Sequence, residues 1–320
     1  MQTEPATLHR VDGGPVFPEG AALWLSARSG RRLRSARFSP NGTARGSVVL
    51  SPGRTETIEK YGEVASELVA RGFVVLLHDW AGQGLSGRFL SDPLRGDMPG
   101  GAERALTDYE DMLNAHGERL PRPWLAMGHS MGAALTAAAL SARPARFAGA
   151  VLCAPMIEFS AGKLPHWLVR AIVATQNGVG RGTETARKQV DPQTVAFERN
   201  VLTHDPVRYA RTRALYRAHP ELQLGEPTWR WLRFALELGA KLLSPGVPES
   251  ISCPLAVVAA GDDRVVKNSA ILDFISRVPR GTYTEVADAF HEILMETDEY
   301  RAQFWKTFDE LADRTVTVTA

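Results

Sequence analysis

Apolar positions along the chain fall into two alternating kinds of run. Short, largely apolar stretches occur at Gly46–Leu50, Phe73–Leu77, Trp124–Met127, Ala148–Ala154 and Pro254–Ala260, and a more polar strand-like run follows at Thr282–Val286. Such runs suit strands of a parallel sheet covered on both faces. Between them the spacing is helical. Tyr61, Val64, Ala65, Leu68 and Val69 make one stripe, which Gly72 ends. Ala105, Leu106, Tyr109, Met112 and Leu113 make another, within a helix predicted over 102–116. Further helices are predicted after the Trp124–Met127 strand as far as about residue 142, at 269–278 and at 297–312. Strand and helix in alternation predict an α/β fold with a mostly parallel central sheet. Ala22–Leu25 and Leu33–Phe38 flank a Ser29-Gly30 turn signal and predict an antiparallel hairpin at the sheet edge. Residues 1–20, polar and carrying Pro5, Pro15 and Pro18, read as irregular.

The alternation fails from 156 to 248. Leu164, Trp167, Leu168, Ala171 and Ile172 form one helical stripe there, and Leu232, Ala235, Leu236, Gly239 and Leu243 another. The expected organisation is a core made of 21–155 and 249–320, with 156–248 as a mainly helical cap inserted after the sixth predicted strand. Trp167, Trp229 and Trp231 in the cap are candidates for a substrate pocket.

Composition narrows the function classes. With 44% hydrophobic residues in 320, the chain is long enough to bury a large core. A net charge of +1 gives no electrostatic case for nucleic acid. The two cysteines, Cys153 and Cys253, lie beside apolar runs and read as small buried hydrophobes rather than a disulfide. No Cys/His cluster has ligand spacing, so no metal or other cofactor is expected. The N-terminus lacks the apolar core of a secretory signal, and no run is long enough to span a membrane, which places the expectation in the cytoplasm. The Trp167 stripe raises weak peripheral membrane contact as an expectation, although a lid helix packed on the core accounts for the same spacing. Oligomeric state is left open.

The chemistry centres on Gly128-His129-Ser130-Met131-Gly132, between an apolar strand and a helix of small residues. A serine on so sharp a strand-to-helix turn raises its hydroxyl above the sheet edge at the cost of a positive φ. Gly128 and Gly132 remove side chains that would collide across the bend. A serine nucleophile needs a base and an acid to orient that base. His291 follows the Thr282–Val286 strand, and Asp262 and Asp263 follow the Pro254–Ala260 strand. Either aspartate could be the acid, with the other a solvated turn residue. His129 reads as structural, because neighbouring side chains on a sharp turn diverge. His78 and Asp79, at a strand end, read as shaping the pocket. The oxyanion of a tetrahedral intermediate needs two N–H donors. Met131, directly after the serine, supplies one; Arg54, in the loop after the Gly46–Leu50 strand, is assigned the other. The Arg54 side chain is left either incidental or facing an anionic group.

These residues resemble the α/β-hydrolase superfamily, and within it the branch of bacterial lysophospholipases and monoacylglycerol lipases (serine aminopeptidase-like hydrolases). The resemblance rests on Pro52-Gly53-Arg54 with Lys60-Tyr61, on Asp79 through Arg88, on Gly128–Gly132, on Asp263-Arg264-Val265-Val266 and on His291-Glu292-Ile293-Leu294. It implies Asp263 as the acid, with Asp262 the runner-up. It also implies an α/β-hydrolase fold and a serine esterase acting on a small-molecule or lipid ester, most of all a lysophospholipid or monoacylglycerol. Monoacylglycerol lipases carry His-Gly where this chain has Pro52-Gly53, which leans toward the lysophospholipase subgroup. The rivals are a small-molecule carboxylesterase or thioesterase, and a catalytically silent member that binds through its cap.

Overall fold

The computed structural model describes residues 3–14, 17–190 and 194–317. Met1, Gln2, Pro15 and Val16 of the N-terminal segment, 191–193 of the predicted cap and 318–320 of the core lie outside the described residues. Nine strands form one sheet: β1 (Thr3–Ala6), β2 (Gly20–Ser26), β3 (Arg32–Phe38), β4 (Gly46–Ser51), β5 (Phe73–Asp79), β6 (Trp124–His129), β7 (Gly149–Cys153), β8 (Leu255–Ala260) and β9 (Gly281–Val286). Their order is β1-β2-β3-β5-β4-β6-β7-β8-β9. The first three pair antiparallel, as does β3 with β5, and every other neighbour is parallel.

The continuously apolar strands have the two-sided burial that their composition requires. In β6, Leu125 and Met127 pack into one apolar cluster with helices α1 (Gly62–Ala70) and α8 (Asp298–Thr317). Trp124 and Ala126 face the other cluster, with α2 (Gly101–His116) and α3 (Ser130–Ala142). Tyr61, the first residue of the predicted stripe, belongs to a 3-10 turn over Ile58–Tyr61 that precedes α1. Helix α7 (Asn268–Ser276) crosses from β8 to β9.

Two expectations are corrected at the N-terminus and in the middle of the chain. The N-terminal segment is not wholly irregular, because Thr3–Ala6 adds an edge strand in register with Ala22–Leu25. Residues following that strand are tied to a buried charge cluster: Arg34 donates to the Thr7 carbonyl at 3.1 Å, and Glu59 accepts from the His9 N–H at 3.2 Å. The extra strand means that the long helical excursion follows the seventh strand, not the sixth. Helix α5 (Pro206–Ala218) was not predicted, since its Arg-rich sequence has almost no apolar stripe. Its start was written in the chain all the same: Asp205 caps the Val207 and Arg208 amides at 2.8 and 2.9 Å, and Pro206 occupies the first turn.

The other excursion helices are α4 (His166–Gly178) and α6 (Trp229–Leu242). Trp231, Phe234, Ala235, Leu238 and Leu242 of α6 sit in the main core with α2 and α3, so α6 is built into the body rather than laid over it. Helix α4 rests on α6 through Val169 and Val173. That rotates its buried face away from the predicted stripe and leaves Leu164 and Trp167 50% and 69% exposed.

Arg34 holds the two ends of this layout together. Its guanidinium meets Glu59 at 2.6 Å and Asp79 at 2.6 Å, all three side chains fully buried. Burial opposes the arginine's charge, but the two carboxylates outweigh it and hold its pKa above the usual value. Asp79 also accepts from the Ile58 and Leu85 amides at 3.0 and 2.9 Å. Replacing Arg34 by Met would strand two buried carboxylates, so Arg34→Met should cost about 3–5 kcal/mol of unfolding free energy. Urea denaturation measures it; a loss below about 1 kcal/mol would contradict the role given to this cluster.

Candidate active site

The turn from β6 to α3 has the strain its sequence demands. Ser130 adopts φ 52°, a left-handed conformation that a residue with a Cβ rarely takes. A Cβ on Gly128 would lie 2.8 Å from Ala133 Cα, and one on Gly132 would lie 2.3 Å from the carbonyl oxygens of both Ser51 and Pro52. Gly132 therefore does more than relax the turn. It lets the start of α3 press against the loop after β4, which brings Met131 and Arg54 onto adjoining segments. Neither the Arg54 nor the Met131 N–H donates to any acceptor among the described residues.

The candidate base and acid come from the loops after β9 and β8. His291 Nε2 lies 3.0 Å from Ser130 Oγ, and its Nδ1 lies 2.7 Å from Asp263 Oδ2. Asp263 Oδ1 accepts from the Val265 and Val266 amides at 2.8 and 2.9 Å. Burial alone would raise its pKa; the His291 bond and charge, with those two amides, hold it below the usual carboxylate value. The ionised carboxylate accepts a hydrogen bond from Nδ1–H, leaving Nε2 as the acceptor facing the serine hydroxyl. Asp262 is exposed and paired instead with Arg264 at 2.7 Å. The geometry thus joins Asp263, and not its neighbour, to His291.

Behind this chain of hydrogen bonds stands a residue that sequence reasoning missed. Glu56 is buried and accepts four donors: the Gly53 N–H, the Tyr61 hydroxyl at 2.6 Å, His129 Nδ1 at 3.1 Å and Lys60 Nζ at 2.9 Å. His129 Nε2 in turn sits 3.2 Å from the His291 carbonyl oxygen, and Lys60 reaches Glu292 at 2.6 Å. One carboxylate so couples the β4 loop, the serine turn and the His291 loop. The structural reading of His129 agrees with these contacts. The signal for Glu56 was its position four residues before Lys60, but the partner at His129 is tertiary.

The loop after β5 clamps the same segment from the other side. Trp80 Nε1 donates to the Pro52 carbonyl at 2.8 Å, and Gln83 Nε2 to the Gly53 carbonyl at 2.7 Å. His78 and Asp79, expected to shape the pocket, do not line the cavity that lies between α5 and the loops after β4 and β9. His78 is bonded to Ser51 Oγ at 3.1 Å with its pKa pushed down to about 3 by burial, and Asp79 belongs to the Arg34 cluster.

That cavity, about 330 Å³, lies between α5 and the loops after β4 and β9. It touches Arg54 and Glu292, next to the oxyanion loop and the base, and has an apolar side from Val195, Leu202, Leu224 and Met295. None of Trp167, Trp229 and Trp231 lines it. Trp167 points to the exterior, whereas Trp229 and Trp231 pack inward with α4 and the core. The expected tryptophan pocket is replaced by one that α5 walls, because α6 is committed to the core. Of metal-ligating side chains, the described residues bring His9, His219 and Glu221 within 4.8 Å of one another, apart from the triad.

Glu56 should make stability depend on pH. Its own burial would raise its pKa, but His129 and Lys60 pull it well below the ordinary 4.5. A depressed carboxylate contributes its full stability above the unfolded value and loses it as pH falls through the folded value. The melting temperature of wild type should therefore exceed that of Glu56→Gln at pH 7, and the gap should close as pH drops below about 4.5. Thermal melts from pH 7 to 3 test this; a gap independent of pH would contradict it.

Comparison with known proteins fits this geometry. Residues 42–298 match the family described as Serine aminopeptidase, S33. Lysophospholipase L2 of Escherichia coli is 32% identical over 80% of this chain and 76% of its own length. A monoacylglycerol lipase of Mycolicibacterium smegmatis is 24% identical over 82% of this chain and 86% of its own. The crystal structure of the Paleococcus ferrophilus monoacylglycerol lipase superposes with a TM-score of 0.69 over 88% of this chain and 98% of that one, at 21% identity, which establishes the shared fold. On the family match and the extent of the lysophospholipase similarity, the chain belongs to the serine aminopeptidase S33 family and is a hydrolase of the α/β-hydrolase fold.

Proposed function

We propose that this chain is a carboxylic ester hydrolase that cleaves lysophospholipids or monoacylglycerols through an acyl-enzyme. The observation that carries the mechanism is the unbroken run Asp263–His291–Ser130, with spacings of 2.7 and 3.0 Å, beside two N–H groups without acceptors among the described residues. Ser130 Oγ attacks the ester carbonyl while His291 Nε2 takes its proton. The negative oxygen of the tetrahedral intermediate is held by the Arg54 and Met131 amides. Collapse expels the alcohol, which receives the proton from His291, and leaves an acyl-serine. Water then attacks with the same base, and the acid departs. Asp263 keeps the imidazole in the tautomer that both half-reactions need.

The lipid part of the reading is supported by a cavity of a size suited to a small ligand, with an apolar side for an acyl chain. It is also supported by the similarity to lysophospholipase L2 and to monoacylglycerol lipases. A site of this kind needs access to lipid. No helix of the described residues is long and apolar enough to cross a membrane, so the exposed Leu164, just before α4, and Trp167, in its first turn, are the candidates for peripheral contact. The domain reading follows from the same parts: the 156–248 excursion serves as the cap, with α5 as its substrate-facing element.

Hydrolysis of a panel of lipid esters and short soluble esters tests the proposal. Ser130→Ala should lower kcat by roughly four to six powers of ten, and Asp263→Asn by roughly four, with folding intact. Wild-type turnover in Ser130→Ala would overturn the mechanism. A sharp preference for short, soluble esters would overturn the lipid assignment.

A further inference from the structure

The cavity beside the triad has a cationic side that ester cleavage does not use. Arg54, Lys60, Arg199, Arg208 and Arg213 line it, against Glu226 and Glu292. Lys60 is taken up by Glu56 and Glu292, and Arg208 by Glu63, Asp205 and Asp298. Arg213 donates to the Val195 carbonyl and the Tyr209 hydroxyl. Neither Arg213, Arg199 nor Arg54 forms an ion pair with a carboxylate among the described residues, so the excess charge is positive.

Arg54 is the most unusual of these. Its Nη2 donates to the Gly225 carbonyl, and its guanidinium lies 5.0 Å from the Trp231 ring centroid. Its Nε is buried with no acceptor. Glu226 is the acid whose charge it feels, without forming an ion pair, and burial outweighs that attraction and pushes its pKa down to about 10. A desolvated cation lacking a counterion is costly, and natural proteins seldom keep one without use. The fold nonetheless makes room for it. A Cβ on Gly96 would lie 2.6 Å from Arg54 Nη2, so glycine there lets the side chain pass. Gly96 is itself fixed by the Thr228 N–H at 3.1 Å, and the adjacent buried Asp97 accepts from Thr228 Oγ1 at 3.0 Å.

We propose that the Arg54 guanidinium, with Arg199 and Arg213 lining the same cavity, is the subsite for the phosphate of a lysophospholipid, and that it makes the enzyme prefer lysophospholipids to uncharged monoacylglycerols. The inference rests on the lipid-ester reading above and selects within it. The connectivity suits it. The carbonyl carbon and the phosphorus of a 1-acyl lysophospholipid are separated by as many bonds as the amide nitrogen and the guanidinium carbon of one arginine. Arg54 thus has the reach to hold the oxyanion with its backbone and the headgroup phosphate with its side chain, through charge-assisted bonds whose planar geometry favours Arg over Lys.

The test compares a 1-acyl lysophosphatidylethanolamine with the 1-monoacylglycerol of the same chain, both as monomers, on the full-length enzyme. In Arg54→Met the ratio of kcat/KM for the phospholipid over the glyceride should fall roughly tenfold to a hundredfold, mostly through KM, and Arg54→Lys should recover part of it. Using the ratio cancels any loss that both substrates share through the oxyanion loop. Glycerol 3-phosphate should inhibit wild type competitively and Arg54→Met much less; inorganic phosphate inhibiting equally well would overturn a headgroup subsite in favour of a general anion site. If Arg54→Met fails to fold, the Arg199→Met/Arg213→Met double variant should lower the same ratio. Cleavage of both lipids with an unchanged ratio overturns this subsite alone. Failure of wild type to cleave either lipid overturns the ester reading, and this inference with it.

Discussion

The Glu56 carboxylate is where the separate parts of the site meet. A buried carboxylate is tolerated only when its lone pairs are filled, and Glu56 fills them with donors from the β4 loop, the 3-10 turn before α1 and the serine turn. Each donor belongs to a segment that has a role in the proposed chemistry. Gly53 precedes the assigned oxyanion donor, His129 precedes the nucleophile, and Lys60 reaches the residue after the base. A half-satisfied buried network is unstable, so these loops are fixed together or not at all. The proposed site owes its registration to electrostatics beneath it more than to the loops' own conformations.

The sheet supplies the platform for that registration. β4, β6, β8 and β9 run parallel, so the loops carrying Arg54, Ser130, Asp263 and His291 emerge from the same edge. Ligands of open α/β sheets bind at that edge. Close packing then sets the spacing between loops: Gly132 against the Ser51 and Pro52 carbonyls leaves no room for a methyl group. The Arg34–Glu59–Asp79 cluster repeats the same device at the antiparallel side, tying the N-terminal strand, β3 and the loop after β5 to one buried arginine.

Substrate choice lies in a different layer of the structure. In the proposed mechanism the triad is indifferent to the leaving alcohol, whereas α5 and the loops around it set which groups face the cavity. Helix α5 docks there through few apolar contacts, Leu215 and Tyr216 among them, and through the Tyr216 hydroxyl on the Thr55 carbonyl at 2.7 Å. The segment before α5 is secured to the His291 loop by the Leu202 carbonyl, which accepts from the Glu292 N–H at 2.8 Å. An arginine-rich helix with a thin apolar face is a poor core element but a good wall for a cavity that admits an amphiphile.

Local sequence determined what local physics governs. Continuous apolar runs specified the buried strands, helical stripes specified α1, α2 and α6, and the Gly-x-Ser-x-Gly turn specified the strained serine with its φ of 52°. The order of serine, aspartate and histidine was equally readable, because each follows a predicted strand. Tertiary structure decided the rest. Resemblance favoured Asp263 over Asp262, but only the 2.7 Å contact with His291 joins it to the site, since both aspartates have the same local setting. β1 and α5 escaped pattern reading because a short polar edge strand and a weakly amphipathic helix draw their stability from partners distant in sequence. The tryptophans misled for a related reason: an aromatic in a cap is equally at home in a pocket, a core or the exterior, and only the rotation of α4 and α6 against the body assigns each one. Glu56 is the plainest case, since an acid in a loop acquires its meaning when four donors from elsewhere close around it.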